Sequence, residues 1–285
     1  MTRKSLFHFA LVGLLWGIPY LLMKVAVEDF PPAAVVAGRT LIGASILIPI
    51  AIYRKKFGGA VLGFKYVAFY ALMEMIGPWI LITTAEQKIN SGLAGLLVST
   101  VPIFATIITS LRGDHSVWEI KRIFGIVVGF IGLILVVGIE SLSGNSDLLS
   151  IAMVIVASMG YAYAVIMVTS NLPLVDGIAI NGLAMAITTV FWAPVAIAQW
   201  PSSISMNSAL SLIALGVFST AFAFILFFKV LAEIGPARGS LVTYLNTAIA
   251  VLLGVIILRE PLTVGIIVGL PLVLVGSYLA SRKTA

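Results

Sequence analysis

Ten apolar runs of about 18–22 residues, parted by short polar links, decide what this chain can fold into. An α-helix rises about 1.5 Å per residue, so a run of that length crosses a hydrocarbon core about 30 Å thick. We place spans at 6–27, 32–53, 66–85, 91–111, 120–139, 148–169, 178–198, 209–230, 237–257 and 263–281. The links leave no room for a water-soluble domain. With 61% hydrophobic residues against 10% charged, ionic groups are too few to cover a surface facing water. The first run follows Arg3 and Lys4 as the core of a signal peptide would. It is longer and more aromatic than such a core, and no small-x-small site closes it, so it reads as a retained helix.

Cysteine is absent, which excludes disulfides, thiolate metal sites and cysteine nucleophiles. The net charge of +6 is a matter of topology rather than of nucleic-acid binding. With the N-terminus in the cytoplasm, Arg3, Lys4, Arg54, Lys55, Lys56, Lys65, Arg112, Lys121, Arg122, Lys229, Arg238, Arg282 and Lys283 lie inside, and only Lys88 and Arg259 outside. That asymmetry predicts cytoplasmic termini. Two sets of five helices that share a fold then enter the membrane from opposite sides. A shift of 144 residues superposes Gly95 on Gly239, Val98 on Val242, Gly125 on Gly269 and Gly132 on Gly276, and a shift of 143 superposes Gly17 on Gly160 and Tyr20 on Tyr163. The expected fold is an all-α membrane protein: ten transmembrane helices in a 5+5 inverted-topology repeat, residues 1–140 and 147–285, within one membrane domain.

Leu14-Leu15-Trp16-Gly17, followed by Lys24, Pro31-Pro32 and Arg39, resembles the opening of the EamA branch of the drug/metabolite transporter superfamily. The segment Ala94 to Pro102 is similar to that family's fourth-helix pattern, and Gly254 through Glu260, Gly269 and Gly276 to its ninth and tenth. The resemblance covers nearly the whole chain. It implies ten helices, a five-plus-five repeat and secondary transport, with bacterial inner-membrane exporters of aromatic and other amino acids as the nearest relatives. Two positions depart from the pattern. Asn246 stands where a proline matching Pro102 is usual, and the acidic residue after the fourth helix is displaced to Gly113-Asp114.

Ionisable residues inside spans cost about 2.5–3.5 kcal/mol each at mid-membrane and so call for a role. Glu74, near the middle of the third span beside Tyr70, Gly77 and Pro78, is a candidate to bind a substrate ammonium or carry a coupling proton; the alternative is a packed structural carboxyl. Lys24 and Arg39 are opposite in sign, suited to a substrate carboxylate, to snorkelling or to ion pairing. Trp16, Tyr20 and Lys24 recur every fourth residue on one helix face. With Trp79, Tyr161 and Tyr163 these rings can wall a pocket for a planar ligand or simply pack. Ser99 and Thr100, with Tyr244 and Asn246 on the repeat-related helix, offer polar groups without fixed charge. Pro19, Gly77, Pro78 and Pro102 are candidate helix breaks. His8 and His115 lack ligand spacing, so neither a metal site nor a cofactor is expected.

The chain has no GxxxxGK[ST] phosphate loop, no HExxH and no GxSxG, which argues against nucleotide hydrolysis and against a membrane-embedded enzyme. The expected function is a secondary transporter that exports small metabolites by alternating access in a bacterial inner membrane. Mixed charges at Lys24, Arg39 and Glu74 favour a zwitterion such as an amino acid. The expected partners are that substrate and membrane lipids, with no nucleic acid, and a monomer suffices. A lipid or lipid-linked flippase and a scaffold without flux are the rival readings.

Overall fold

The computed structural model describes residues 2–113, 119–142, 147–234, 239 and 241–281. Asp114, His115, Arg238, Arg282 and Lys283, and the start of the ninth expected span, lie outside the described residues. Within them all regular structure is helical. The helices are α1 (Arg3–Ala26), α2 (Pro32–Tyr53), α3 (Phe57–Leu62), α4 (Phe64–Ala71), α5 (Gly77–Ala85), α6 (Ser91–Val98), α7 (Val101–Leu111), α8 (Ile120–Leu142), α9 (Leu148–Asn171), α10 (Gly177–Ala198), α11 (Met206–Ala214), α12 (Ala223–Ile234), α13 (Val242–Ile256) and α14 (Val264–Ser281). Seven helical stretches among the described residues are long and apolar enough to cross a membrane, and two shorter apolar helices follow them. The chain is an integral, multi-pass membrane protein.

Two of the long stretches are built from α-helix, π-helix and α-helix in series. α4 runs through a π segment, Leu72–Ile76, into α5, and α11 runs through another, Leu215–Phe222, into α12. In the first, the Gly77 N–H reaches back five residues to the Leu72 carbonyl, which accommodates Pro78: its ring displaces a carbonyl four residues earlier and it has no N–H to give. The second contains no proline. The two segments start 143 residues apart, the same shift that superposes Gly17 on Gly160. α6 stops at Val98 and α7 starts at Val101 with Pro102 in its first turn, so the break expected at Pro102 is present. α1, by contrast, is continuous through Pro19.

Packing is reciprocal. α1 lies against α13 and against the α11–α12 stretch, and α9 lies against α6–α7 and against the α4–α5 stretch. α2 pairs with α10 and α8 with α14. Small residues set these distances, because lipid supplies no hydrophobic drive between helices and close van der Waals approach must do so. A Cβ on Gly276 would run into the backbone of Gly129, and one on Gly43 into Met185 and Thr220. The short helix α3 and the extension of the eighth expected span, 209–230, to Met206–Ile234 go beyond the expected spans.

Candidate functional site

Arg39 and Trp79 form the centre. α2 delivers Arg39 seven residues past its first residue, about 10 Å along the axis, where the side chain is 6% exposed. Its guanidinium carbon stacks 3.8 Å from the centroid of the Trp79 ring, which α5 presents one residue after Pro78. Nε and Nη2 donate to the Thr220 hydroxyl at 3.3 and 3.1 Å, and Nη1 lies 3.6 Å from the Met23 sulfur. A desolvated cation over an indole gains about 2 kcal/mol, which offsets much of the burial of its charge. Among the described residues no carboxylate lies within ion-pair distance of the guanidinium. Tyr161, Glu86 and Tyr20 are its electrostatic neighbours, and Tyr20 packs beside Gly95, whose missing side chain lets α6 approach Ala250 on α13.

Glu74 sits in the π segment rather than beside Arg39. Its neighbours are Tyr70 and Tyr161, and its Oε2 is buried without a hydrogen-bond partner. Tyr70 donates to Asn181 on α10 at 3.1 Å. The Ile76 carbonyl next to the Gly77-Pro78 pair receives the Trp192 indole N–H at 3.1 Å, so a side chain of α10 secures the irregular backbone. Tyr161 touches both regions electrostatically, linking Glu74 to Arg39.

Lys24 neither snorkels freely nor meets Glu74. Its ammonium donates to the Glu86 and Ile89 carbonyls at 2.6 and 2.9 Å, closing the end of α5, where the helix dipole favours a cation. Beside it lies a cleft of 230 Å³ lined by Lys24, Val27, Glu28, Glu86 and Gln87. Glu260 caps the other helix at this end: its carboxylate accepts from the Ser91 N–H and hydroxyl at 2.9 and 2.8 Å and from the Gly92 N–H at 3.3 Å. The turn that returns Glu260 puts Arg259 in the left-handed region, φ 55, and a side chain at Gly254 would strike both Glu260 and Ser91. The Gly254-to-Glu260 pattern is therefore a helix cap.

Other expected residues lie apart from this centre. Tyr163 is 38% exposed and meets Phe69 edge-on, because residues two apart on a helix point to nearly opposite sides, so it does not join Tyr161. Trp16 packs on Phe224 and Phe227, and Tyr244 on Tyr278. The Ser99 and Thr100 hydroxyls turn back to the Leu96 and Leu97 carbonyls, both at 2.6 Å, satisfying the helix break; Ser158 on α9 and Ser277 on α14 add bonds to the Leu97 and Ser99 carbonyls. Asn246 is buried, with its side-chain oxygen accepting from Thr247 at 3.3 Å. His8, unassigned to any site from sequence, pairs with Glu233 at 3.1 Å. Sequence reasoning missed Glu86 and Thr220 and had Glu260 only as the end of a family pattern; Glu86 stood just past a span end, and a lone threonine carries no signal.

The model of the EamA-like transporter family matches the chain twice, over residues 3–138 and 148–282. An uncharacterized transporter, YoaV, of Bacillus subtilis is 28% identical over 94% of this chain and 93% of its own length. The uncharacterized inner membrane transporter YedA of Escherichia coli K12 is 26% identical over 95% and 90%. A solved crystal structure superposes with a TM-score of 0.66 at 16% identity over 98% of both chains, which fixes a shared fold.

Proposed function

Because the chain belongs to the EamA-like transporter family, we propose that it exports small zwitterionic metabolites, amino acids including aromatic ones, across a bacterial inner membrane. The observation that carries the substrate class is Arg39: a buried guanidinium stacked on an indole, bonded to a neutral hydroxyl and to no carboxylate among the described residues. A substrate carboxylate can displace the single Thr220 hydroxyl that Nε and Nη2 share and take that edge bidentately, and Trp79, Tyr20 and Tyr161 supply rings against which a flat side chain can lie. Carriage proceeds by alternating access, two inverted five-helix halves rocking about this centre with both termini in the cytoplasm. The doubled family match, the 143-residue spacing of the π segments and the reciprocal packing of α1 and α9 support that architecture. Energy comes from a solute or proton gradient.

The test is counterflow of labelled amino acids, organic cations and sugars into liposomes holding the purified chain. Saturable flux of amino acids alone supports the reading; well-folded protein that carries none of them sinks it. A flippase is the second reading, favoured by an apolar groove of 370 Å³ between α2 and α10, lined by Leu41, Ile48, Pro49 and Val190 among others. Scrambling of labelled lipid in the same vesicles, without amino-acid flux, would decide for it.

A further inference from the structure

The end of α5 holds a carboxyl that the substrate site leaves unused. Glu86 is fully buried, and neither of its carboxylate oxygens has a hydrogen-bond partner among the described residues. Lys24 is bonded to this residue's backbone carbonyl but not to its carboxyl. The charged and titratable groups facing it are Tyr20 and Lys24 on α1, Arg39 on α2 and Glu260 in the loop after α13. Glu260 is occupied in capping α6, and Arg39 in its contacts with Thr220 and Trp79. The 230 Å³ cleft, roomy enough for several waters, reaches Glu86 from the side of Lys24, Glu28 and Gln87.

An ionised carboxylate in a dry interior needs donors, and two bare oxygens supply none. A protonated carboxyl avoids that penalty. Lys24 and Arg39 favour the ionised form, while burial and the like charge of Glu260 oppose it. The balance therefore turns on whether water and the Lys24 ammonium reach the carboxyl, and Lys24 is already anchored on the same residue.

We infer that Glu86 is a proton-binding site, protonated while the Lys24 cleft is closed over it and ionised when the cleft opens and Lys24 turns from the two carbonyls to the carboxylate. The step is an acid dissociation: the carboxyl O–H bond breaks, its electron pair stays on oxygen, and the proton passes to a cleft water. Glu74 lacks this device, since its electrostatic neighbours are the two tyrosines Tyr70 and Tyr161 and no cation is among them. The proton would drive transport only if the carrier reading above holds, but the binding site itself is testable without any substrate.

Infrared difference spectra of the full chain in liposomes, titrated with acid and base, read protonated carboxyl groups directly. The wild type is expected to show a buried carboxyl signal with one component that is lost in Glu86→Gln and kept in Glu74→Gln. Lys24→Met, which removes the cation that favours ionisation, is expected to move the midpoint of that component up by about 1 pH unit or more. A buried carboxyl signal that Glu86→Gln leaves undiminished, or a Glu86-dependent midpoint unmoved by Lys24→Met, overturns the assignment. Where flux is measurable, Glu86→Gln should carry substrate with no response to a pH gradient, and a retained response would refute coupling through Glu86. Absence of flux in every variant would contradict carriage, while the infrared band alone would still confirm or refute the proton site.

Discussion

Residues 3–138 and 148–282 each contain a helix interrupted by a π segment, at Leu72–Ile76 and at Leu215–Phe222, yet 143 residues beyond Lys24, Arg39 and Glu74 stand Met167, Gly182 and Val217. The backbone irregularity is shared and the charge is not. The second stretch answers the first with neutral groups: Thr220 in its π segment holds the Arg39 guanidinium, and Trp192 holds the Ile76 carbonyl. Both bonds join the two stretches, so any motion that separates them must release both. Neutral partners make that release cheaper, about 1 kcal/mol for the Trp192 bond and about 1.5–3 kcal/mol for the one from the charged guanidinium, whereas breaking a buried ion pair costs about 3–5 kcal/mol.

That asymmetry can be broken most severely at Arg39. Arg39→Gln should reduce amino-acid counterflow to the level of protein-free liposomes, while Thr220→Val, which leaves the charge in place, should lower it about tenfold at most. Equal losses from the two would mean that the neutral half carries as much of the recognition as the charged one. Packing should be as sensitive in the second stretch as in the first: Gly276→Val, which drives a side chain into the Gly129 backbone, should destabilise the detergent-solubilised protein by about 1–3 kcal/mol or prevent its folding, read as thermal melting or as yield of monodisperse protein. Trp192→Phe should cost about 1–3 kcal/mol by orphaning the Ile76 carbonyl, read by the same melting experiment.

The smallest effect lies outside the membrane. Hydrogen bonds from Ser205, with Ser208 close by, hold the Asp29 carboxyl below the usual carboxylate range. A lowered folded-state value means that the clamp between the α1–α2 link and the start of α11 is in place at neutral pH and is lost as pH falls through that value. Asp29→Asn should therefore leave a shallower loss of thermal stability on acidification, and an unchanged acid limb would assign the bond no role in stability.

Sequence made the spans legible because crossing a membrane is a matter of length and hydropathy, and the ranges 32–53 and 91–111 agree with α2 and with α6–α7. It also made Arg39 and Trp79 candidates, since a buried cation and a mid-span indole each stand out alone. Their stacking was not legible: it depends on where α2 and α5 cross, which no spacing within either helix reports. Lys24, Arg39 and Glu74 have separate partners in the structure: Lys24 is engaged at the end of α5, Arg39 on Thr220 and Trp79, and Glu74 faces tyrosines. Glu86 escaped notice because it directly follows the last apolar position of its span, and only the fold buries it. Pattern matches such as Gly254 to Glu260 marked importance without distinguishing a helix cap from a binding site.

The central claim, that Arg39 receives a substrate carboxylate, is tested most directly by counterflow of an amino acid against its carboxyl-amidated analogue through the wild-type protein in liposomes. Saturable flux of the acid and negligible flux of the amide are expected. Equal carriage of both would contradict it.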